Sequence, residues 1–294
     1  MSATAAAQRW LVTGSSGQVG SACLALAREH GVTAVAYPGK AIDIDGADQV
    51  RRVLAAERPD VVLNTAALTA VDLCETYTAR AKKLNAVVPD HLAQACRGGP
   101  LLVQLSTDYV FNGRACRPIG EDAPTEPLSE YGRTKLAGEE AVRAAGANHL
   151  IVRTQWVFGS GSNFVRTILG AAKKGAPLRV VEDQLGRPTW THSLARGMFA
   201  AVAAGARGVL HLCNEGIASF YELAREATAE GARRGLCPKV EVIPIPTSEM
   251  PRPAPRPAYG VLGLARARAL GITLPHWRDA LAQYLDAEQG GRDA

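Results

Sequence analysis

The sequence lacks the features that mark membrane proteins, secreted proteins and metalloproteins. No apolar run reaches the length of about 18 residues that a helix needs to cross a bilayer. The start, from Met1 to Gln8, has no basic residues followed by an apolar core, so we expect no signal peptide. The six cysteines include no C-x-x-C pair, and no histidine cluster accompanies them, which argues against a metal site or a disulfide framework. These absences predict a cytoplasmic protein.

Aromatic residues are also scarce, at 5%, whereas hydrophobic residues make up 47% of the 294 residues. This composition is typical of a globular chain that forms one large domain, or one domain with a smaller lobe. The formal net charge is +5, but the basic residues occur as scattered pairs such as Arg51-Arg52 and Lys82-Lys83. We therefore expect solvated helix faces and no nucleic-acid partner. A mildly basic surface also suits a phosphorylated cofactor and a diphosphate substrate.

Short apolar runs alternate with stretches of helical length in the first half of the chain. The runs lie at residues 10–13, 32–36, 61–63, 101–103 and 150–152, and the helical stretches between them include 47–57, 78–96 and 129–145. Continuously apolar strands that alternate with helices indicate a parallel sheet covered on both faces. The sequence therefore predicts an α/β fold with a Rossmann-like, doubly wound parallel sheet.

The second half predicts a smaller C-terminal lobe. We expect helices at 164–173, 193–204 and 219–234 and a strand at 209–213, and prolines then recur between residues 244 and 257. This proline segment can be neither helix nor central strand. Because only about 37 residues follow it, too few for a separate core, we expect it to cross a substrate lobe and bring Arg252 and Arg256 near a ligand. The predicted dinucleotide-binding domain is 8–158 with about 190–214, and the substrate lobe is about 159–189 and 215–288.

A glycine-rich turn joins the first strand to the first helix, with the spacing G-x-x-G-x-x-G from Gly14 to Gly20. Glycines allow the backbone to approach a pyrophosphate, and the last one allows the helix to pack on the strand. Glycine-rich turns are common, but one at the first strand-to-helix junction favours dinucleotide binding. The candidate cofactor-binding residues in this turn are Gly14, Ser16, Gly17, Gln18 and Val19.

The end of the second predicted strand bears on the choice of cofactor. An enzyme that requires NAD is expected to carry an acid there for the ribose, but Tyr37 to Lys40 contain none, and Lys40 could attract a 2′-phosphate. We therefore expect NADP(H), with NAD(H) as the second option. Asp43 and Ile44 could contact the adenine, and Asp43 could equally cap a loop or helix.

Two motifs carry possible acid–base chemistry. Tyr131 and Lys135 are four residues apart, so a helix places them on one face with Cβ atoms about 5–6 Å apart. A nearby ammonium would lower the tyrosine pKa toward neutrality. Such pairs occur by chance on surface helices, but this one follows the fourth apolar run of a dinucleotide-binding pattern. The other motif, Ser-Thr-Asp-Tyr-Val-Phe at 106–111, ends a predicted strand, where the Thr107 hydroxyl could bind a substrate carbonyl or merely close a turn.

Together, these motifs resemble the extended short-chain dehydrogenases and, more narrowly, the dTDP-4-dehydrorhamnose reductase family. The resemblance extends from about residue 10 to 285, and it includes NTAALTAVD at 64–72, RTQWVF at 153–158, DQLGRPT at 183–189 and LPHW at 274–277. It implies reduction of the C4 keto group of a dTDP-linked 6-deoxy-4-keto sugar. Tyr131 would donate the proton, Lys135 would bind the nicotinamide ribose and Thr107 would hold the carbonyl. The resemblance implies further cofactor contacts at Ala66, Ala67, Thr69 and Asn85, and substrate contacts at Asp108, Tyr109, Trp156, Arg187 and Arg256.

Three departures from that family pattern affect the substrate and the assembly. Leu68 stands where the family commonly has histidine or tyrosine, and residues 258–261, Ala-Tyr-Gly-Val, replace a polar pair. Metal-binding relatives have glutamates where this chain has Ser21 and Ala22, and again at 190–192. We therefore predict no metal, and a monomer or weak homodimer.

Other functions remain open at this point. A sister reaction would be a 4-ketoreductase that makes another dTDP-deoxysugar for a natural product. A different class would be a non-catalytic NADP-binding subunit, since the family resembles the regulatory subunit of methionine adenosyltransferase. The complete set of Thr107, Tyr131 and Lys135 argues against this second option. An epimerase or dehydratase is a third reading, but no glutamate follows Asp108 to supply the additional acid–base group.

Overall fold

The structure, a computed structural model, describes residues 8–37 and 46–290, and the statements below concern these ranges. Its strands are β1 (Arg9–Thr13), β2 (Thr33–Tyr37), β3 (Val61–Asn64), β4 (Leu101–Thr107), β5 (His149–Thr154), β6 (Val157–Phe158), β7 (Leu178–Val181), β8 (Leu185–Gly186), β9 (Thr189–Trp190), β10 (Gly208–His211), β11 (Ala218–Ser219) and β12 (Val242–Ile245). Its α-helices are α1 (Gln18–Glu29), α2 (Ala47–Glu57), α3 (Val71–Thr76), α4 (Thr78–Lys82), α5 (Val88–Ala95), α6 (Glu130–Ala144), α7 (Phe164–Ala172), α8 (Thr191–Ala203), α9 (Phe220–Arg233), α10 (Ala265–Ala269) and α11 (Trp277–Gly290).

A six-stranded parallel sheet forms the centre of the molecule, in the order β10-β5-β4-β3-β1-β2. β1 pairs with β2 on one side and with β3 on the other, so the order of the strands reverses there. In such sheets, ligands bind beyond the carboxyl ends of the strands at the point of reversal. This topology confirms the predicted doubly wound α/β fold.

Hydrophobic side chains alternate between the two faces of this sheet, as the period of a strand requires. Leu11, Val62 and Ile151 pack in one core with residues of α2, α5 and α6. Val12 and Leu63 point the other way, into a core shared with α1 and α8. Because helices cover both faces, most residues in the middle of these strands are apolar, which explains the continuous runs in the sequence.

The C-terminal part of the chain adds a second layer of short elements. β12 pairs in parallel with β7, and α7, α9 and α11 form a separate apolar cluster around Trp277. Pro244 is tolerated in β12 because this strand pairs with β7 in a two-stranded sheet, at an edge. The extended course of the proline segment is thus as predicted, but a short 3-10 helix at Thr247–Glu249 interrupts it.

The helix predicted at 78–96 has a different form in the structure. It consists of α4, a π-helical turn at Lys83–Val87, and α5. The short helix α3 precedes it and was not predicted. π-Turns inside helices are often associated with functional sites, and this one contains Asn85. Within the described part of the chain, no helix is both long and apolar enough to span a membrane.

Candidate active site

The glycine turn brings backbone from β1, β3 and α1 closer together than side chains would allow. Gly14 has φ +66°, and a Cβ there would lie 2.6 Å from the nitrogen of Ala66. A Cβ at Gly20 would lie 2.4 Å from the Gly14 oxygen. Gly17 precedes α1 without a side-chain cap, and the first turn of α1 contains no acid. The leading N–H groups of α1 are thus suited to an anion such as a pyrophosphate.

A cavity of about 520 Å³, which we call the glycine-loop cavity, lies over the carboxyl ends of the central strands. Many of the predicted site residues line it: Gly17, Gln18, Val19, Ala67, Thr69, Thr107, Asp108, Tyr109, Tyr131, Lys135 and Trp156. Its lining also includes residues that the sequence did not single out: Thr65, Val71, Leu105, Ser106, Thr154, Gln155, Val157 and Ser162. The structure therefore brings the start of α1 and the Tyr131/Lys135 motif to one cavity.

The packing of α6 against the end of β4 explains the position of Tyr131. Ser129 caps α6 by accepting a hydrogen bond from the nitrogen of Gly132, at 3.2 Å. Gly132 in turn lies so close to the backbone that a Cβ there would be 2.2 Å from the Tyr109 oxygen. This contact brings the Tyr131 ring edge-on to Tyr109, with the ring centroids 5.3 Å apart.

The pKa values of Tyr131 and Lys135 differ from what the sequence led us to expect. Burial raises the pKa of Tyr131 above its usual range, although a hydrogen bond with Thr107 lowers it. Burial also lowers the pKa of Lys135 to about 8, and its Nζ donates to the Leu105 oxygen at 2.7 Å. The expected shift of the Tyr131 pKa toward neutrality is therefore not met in this structure, because burial is the largest influence on it. Tyr131 keeps its proton at neutral pH, which is the form that a proton donor requires.

Asn85 and Ala66 do not line the glycine-loop cavity, and their cofactor contacts stay predictions. The Asn85 side chain is buried, and it accepts a hydrogen bond from the Leu68 nitrogen at 2.8 Å. Its Nδ2 donates to the Leu68 oxygen and to Thr134 Oγ1, both at 3.1 Å. Asn85 therefore fixes the wall segment 67–69 to α6. The Ala66 backbone precedes this wall segment and packs against Gly14 of the glycine turn.

Arg187 lies outside the lining of the glycine-loop cavity. Its guanidinium is buried and donates to the Leu262 oxygen at 2.8 Å and to the Gly216 oxygen at 3.0 Å. Its Nη1 also lies 3.7 Å from a carboxylate oxygen of Glu215. These bonds direct the side chain into the protein and join three loops, so the structure does not bring Arg187 to the glycine-loop cavity.

A second cavity, of about 660 Å³, lies under the proline segment, and we call it the strap cavity. Tyr109 lines both cavities, so they adjoin at this side chain. Three arginines line the strap cavity: Arg179, Arg252 and Arg256. Arg256 pairs with both carboxylate oxygens of Asp72, at 2.6 and 2.9 Å, and this pairing lowers the pKa of Asp72. The predicted substrate residue Arg256 thus lines the strap cavity, which adjoins the Tyr131-containing cavity at Tyr109.

Trp156 stands between the two cavities. It has φ +47°, which is unusual for a residue with a side chain, and its ring stacks on Phe220 at 3.8 Å. Trp156 lines the glycine-loop cavity, whereas Phe220 lines the strap cavity. Strained backbone of this kind is often found at functional sites, where the surrounding packing holds it. The sequence had indicated either a substrate contact or a core aromatic, and the structure shows a ring that both packs and faces a cavity.

Four further residues discussed in the sequence analysis are not among the cavity-lining residues described above. Lys40, Asp43 and Ile44 lie outside the described residues. Ser16 is exposed and does not line the glycine-loop cavity. In the ranges 8–37 and 46–290, no group of three or more histidine, cysteine, aspartate and glutamate residues is placed to hold a metal ion.

Comparisons with known proteins show the family to which this chain belongs. A model of the family described as RmlD substrate binding domain matches residues 8–289. The chain is 43% identical over 291 residues to the dTDP-4-dehydrorhamnose reductase of Mycolicibacterium smegmatis, and the match covers 97% of this chain and 87% of that protein. It is 42% identical over 284 residues to a Streptomyces antibioticus protein named "Probable dTDP-4,6-dihydroxy-2-methyloxan-3-one 4-ketoreductase", with 94% of each chain covered.

A solved structure of a relative has the same fold as this chain. The dTDP-4-dehydrorhamnose reductase of Bacillus anthracis in complex with NADP has a TM-score of 0.90 and 30% identity to this chain. The match covers 95% of this chain and 99% of that one. The sequence match over nearly the whole length and the shared fold lead to one conclusion: this chain belongs to the RmlD substrate binding domain family.

Proposed function

We propose that the protein reduces the C4 keto group of a dTDP-linked 6-deoxy-4-keto sugar with NADPH, and that dTDP-4-dehydro-L-rhamnose, which gives dTDP-L-rhamnose, is the favoured substrate. The observation that carries this proposal is the meeting of Thr107, Tyr131 and Lys135 with the start of α1 in one cavity. A dinucleotide bound at the start of α1 would extend toward the phenol. The names of the relatives in M. smegmatis and B. anthracis support the same reaction.

The residues around the glycine turn fit a dinucleotide. The glycines leave space that a Cβ would fill, and the first N–H groups of α1 have no side-chain cap. In our proposal these groups hold the pyrophosphate, while Ala67 and Thr69 line the cofactor. Lys135 binds the nicotinamide ribose, since its ammonium has three donors and the Leu105 oxygen accepts only one of them. When bound, the nicotinamide supplies the hydride that adds to the carbonyl carbon.

In this proposal, side chains of the protein supply the proton that the C4 oxygen takes up. Thr107 donates a hydrogen bond to the C4 oxygen and aligns the carbonyl with Tyr131. As negative charge develops on this oxygen, Tyr131 transfers its phenolic proton to it, and the C4 hydroxyl forms. The phenolate that remains is stabilised by the Lys135 ammonium, which is charged below a pH of about 8.

The strap cavity would hold the nucleotide. Its arginines Arg179, Arg252 and Arg256 suit a diphosphate, because a guanidinium matches the geometry of phosphate oxygens. Tyr109 and Trp156, at the boundary of the two cavities, would contact the sugar. In this proposal, residues 8–158 with about 190–214 bind the dinucleotide, and about 159–189 with 215–288 bind the substrate.

A sister reaction is the second candidate, and it would yield a different deoxysugar. It is favoured by the S. antibioticus relative, whose name includes a 4-ketoreductase, and by Leu68 and the Ala-Tyr-Gly-Val stretch at 258–261. These positions matter because Leu68 is in the wall segment fixed by Asn85 and Gly260 contacts Asp108. Both reactions use the same proton donor and differ in the sugar.

The experiment that tests the proposal measures NADPH oxidation with a panel of dTDP-4-keto-6-deoxy sugars, followed by NMR of the products. We expect turnover with at least one 4-keto sugar and a new hydroxyl at C4. The configuration at C4 distinguishes the rhamnose product from its sister products. A protein that binds NADPH but reduces no member of the panel would contradict the proposed reaction and favour the regulatory-subunit reading.

A further inference from the structure

Asp108 is a buried carboxyl group directly behind Thr107. It is 2% exposed, and Thr107 Oγ1 donates a hydrogen bond to its Oδ1 at 3.0 Å. Its Oδ2 lies 3.4 Å from Nε2 of Gln155, which is also 2% exposed. Asp108 therefore connects the Thr107 hydroxyl to a residue that the sequence analysis did not single out.

Gln155 anchors the far side of this carboxyl group. Its Nε2 donates to the Gly260 oxygen at 2.9 Å, and its carbonyl oxygen accepts from the Leu262 nitrogen at 3.1 Å. Gly260 lies against Asp108 so closely that a Cβ there would be 2.5 Å from Oδ2. The stretch that follows the proline segment is thus held against Asp108 and restricts its position.

The hydrogen-bond chemistry of this group has a consequence for Thr107. A hydroxyl has a single proton, and an ionised carboxylate can only accept. While Asp108 is ionised, the Thr107 proton is therefore directed to Asp108. A neutral Asp108 can instead donate to Thr107, and the Thr107 proton then becomes free for another acceptor.

The surroundings of Asp108 favour the neutral form. The titratable groups whose own pKa responds to its charge are its neighbour Tyr109, Tyr131 on α6, and Cys213 just after β10. Burial raises the pKa of all three, so at neutral pH they are uncharged and do not compensate a negative charge. Burial also raises the pKa of Asp108 to about 7, against the hydrogen bonds that lower it. Both of its forms are therefore populated near neutral pH.

We propose that Asp108 and Gln155 are positioning residues that set the direction of the Thr107 hydroxyl, and that a proton on Asp108 frees Thr107 for the sugar carbonyl. This inference rests on the proposed function, in which Thr107 binds that carbonyl. It gives Asp108 a role that acts through Thr107, in place of the substrate contact implied by the family resemblance.

The test compares the pH dependence of kcat/KM for the keto sugar in the wild-type enzyme, Asp108→Asn and Gln155→Met. For the wild type, we expect kcat/KM to fall as the pH rises through about 7, by about tenfold per pH unit. In Asp108→Asn this decrease should disappear, because the amide can donate to Thr107 at every pH. Gln155→Met removes a hydrogen bond that favours the carboxylate, so the decrease should move to higher pH.

An infrared titration measures the same proton without substrate. The band of a protonated carboxyl group should disappear with a midpoint near that of the kinetic decrease in the wild type, and it should be missing from Asp108→Asn. Thr228→Val is the matched control: it also removes a buried polar group, one that bonds to the Ala224 and Arg225 oxygens of α9, and its pH profile should equal that of the wild type.

The two possible failures can be distinguished. If the enzyme turns over the keto sugar but Asp108→Asn and Gln155→Met keep the wild-type pH profile, the positioning role is wrong and the proposed function stands. If the wild-type enzyme reduces no 4-keto sugar, the proposed function fails and this inference fails with it.

Discussion

Burial, more than neighbouring charge, sets the proton affinity of the titratable side chains around Thr107. It is the largest influence on the pKa of Tyr131, Lys135 and Asp108. It raises the pKa of the phenol and of the carboxyl group and lowers that of the amine, as desolvation does for acids and bases. A reductase benefits from this arrangement, because the phenol then holds its proton until negative charge develops on the substrate oxygen.

The first prediction concerns this phenol. Tyr131→Phe should lower turnover by a factor of about 10²–10⁴, the usual contribution of a positioned proton donor, while the NADPH dissociation constant stays close to that of the wild type. Steady-state kinetics and fluorescence titration with NADPH measure the two effects. Tyr221→Phe on α9 is the control and should leave both values unchanged. Near wild-type turnover by Tyr131→Phe would remove this residue from the mechanism.

At the scale of secondary structure elements, the π-turn and the wall segment 67–69 form one unit. Asn85 in the π-turn satisfies both the nitrogen and the oxygen of Leu68. Gly138 of α6 lies so close that a Cβ there would be 2.1 Å from the Asn85 oxygen. The irregular turn therefore lets the Asn85 side chain reach the wall of the cavity.

The second prediction tests this unit. Asn85→Leu should lower the free energy of unfolding by about 1–3 kcal/mol, because two backbone groups of the half-buried Leu68 lose their partners. It should also weaken NADPH binding, since the wall segment is no longer fixed. Chemical denaturation and NADPH titration measure the two effects. Gln94→Leu, on the exposed side of α5, should change stability by less than about 0.5 kcal/mol. Equal stability of the two variants would contradict the role of Asn85.

The elements show how far the sequence could predict the fold. The alternation of apolar runs and helical stretches was sufficient for the parallel sheet, because buried strands need apolar residues on both faces. The π-turn was missed because one extra residue in a helical turn scarcely changes the hydrophobic pattern. The pairing of β7 with β12 was missed because it joins segments about 64 residues apart in the chain, and local patterns carry no information on such pairs.

The candidate site was predictable to a similar extent. Tyr131 and Lys135 were predicted from their spacing and Thr107 from its place at the end of a strand, and the structure brings all three to one cavity. Arg187 was assigned to the substrate on its motif alone, but its guanidinium points inward to the Leu262 and Gly216 oxygens. Gln155 was missed because its partners, Gly260 and Leu262, are more than a hundred residues away. A motif gives the position of a residue but not the direction of its side chain.

At the scale of the whole molecule, an ion pair links the two sides of the strap cavity. Asp72 belongs to α3, which follows β3 of the central sheet, and Arg256 belongs to the proline segment. Tyr109, which follows β4, lines the same cavity and reaches the glycine-loop cavity as well. The fold thus brings the proposed nucleotide site and the proposed reduction site together at Tyr109.

The third prediction concerns metal. Chelation with EDTA should change neither the activity nor the apparent mass in solution. The family resemblance implied metal-binding positions where this chain has Ser21 and Ala22 and, at residues 190–192, Trp-Thr-His. A hard cation such as Mg²⁺ requires oxygen ligands, typically with carboxylates among them, which these residues lack. Light scattering and kinetics before and after chelation measure both properties. An oligomer that dissociates with EDTA and re-forms with Mg²⁺ would contradict this reading.

The most direct test of the central claim follows the hydride itself. NADPH carrying deuterium at the transferable position of the nicotinamide is incubated with the enzyme and a dTDP-4-keto-6-deoxy sugar, and the product is examined by NMR. We predict that one deuterium appears at C4 of the sugar and that the C4 carbonyl becomes a hydroxyl. Deuterium at another carbon, or a changed sugar without deuterium, would contradict the proposal that this protein is a C4 ketoreductase.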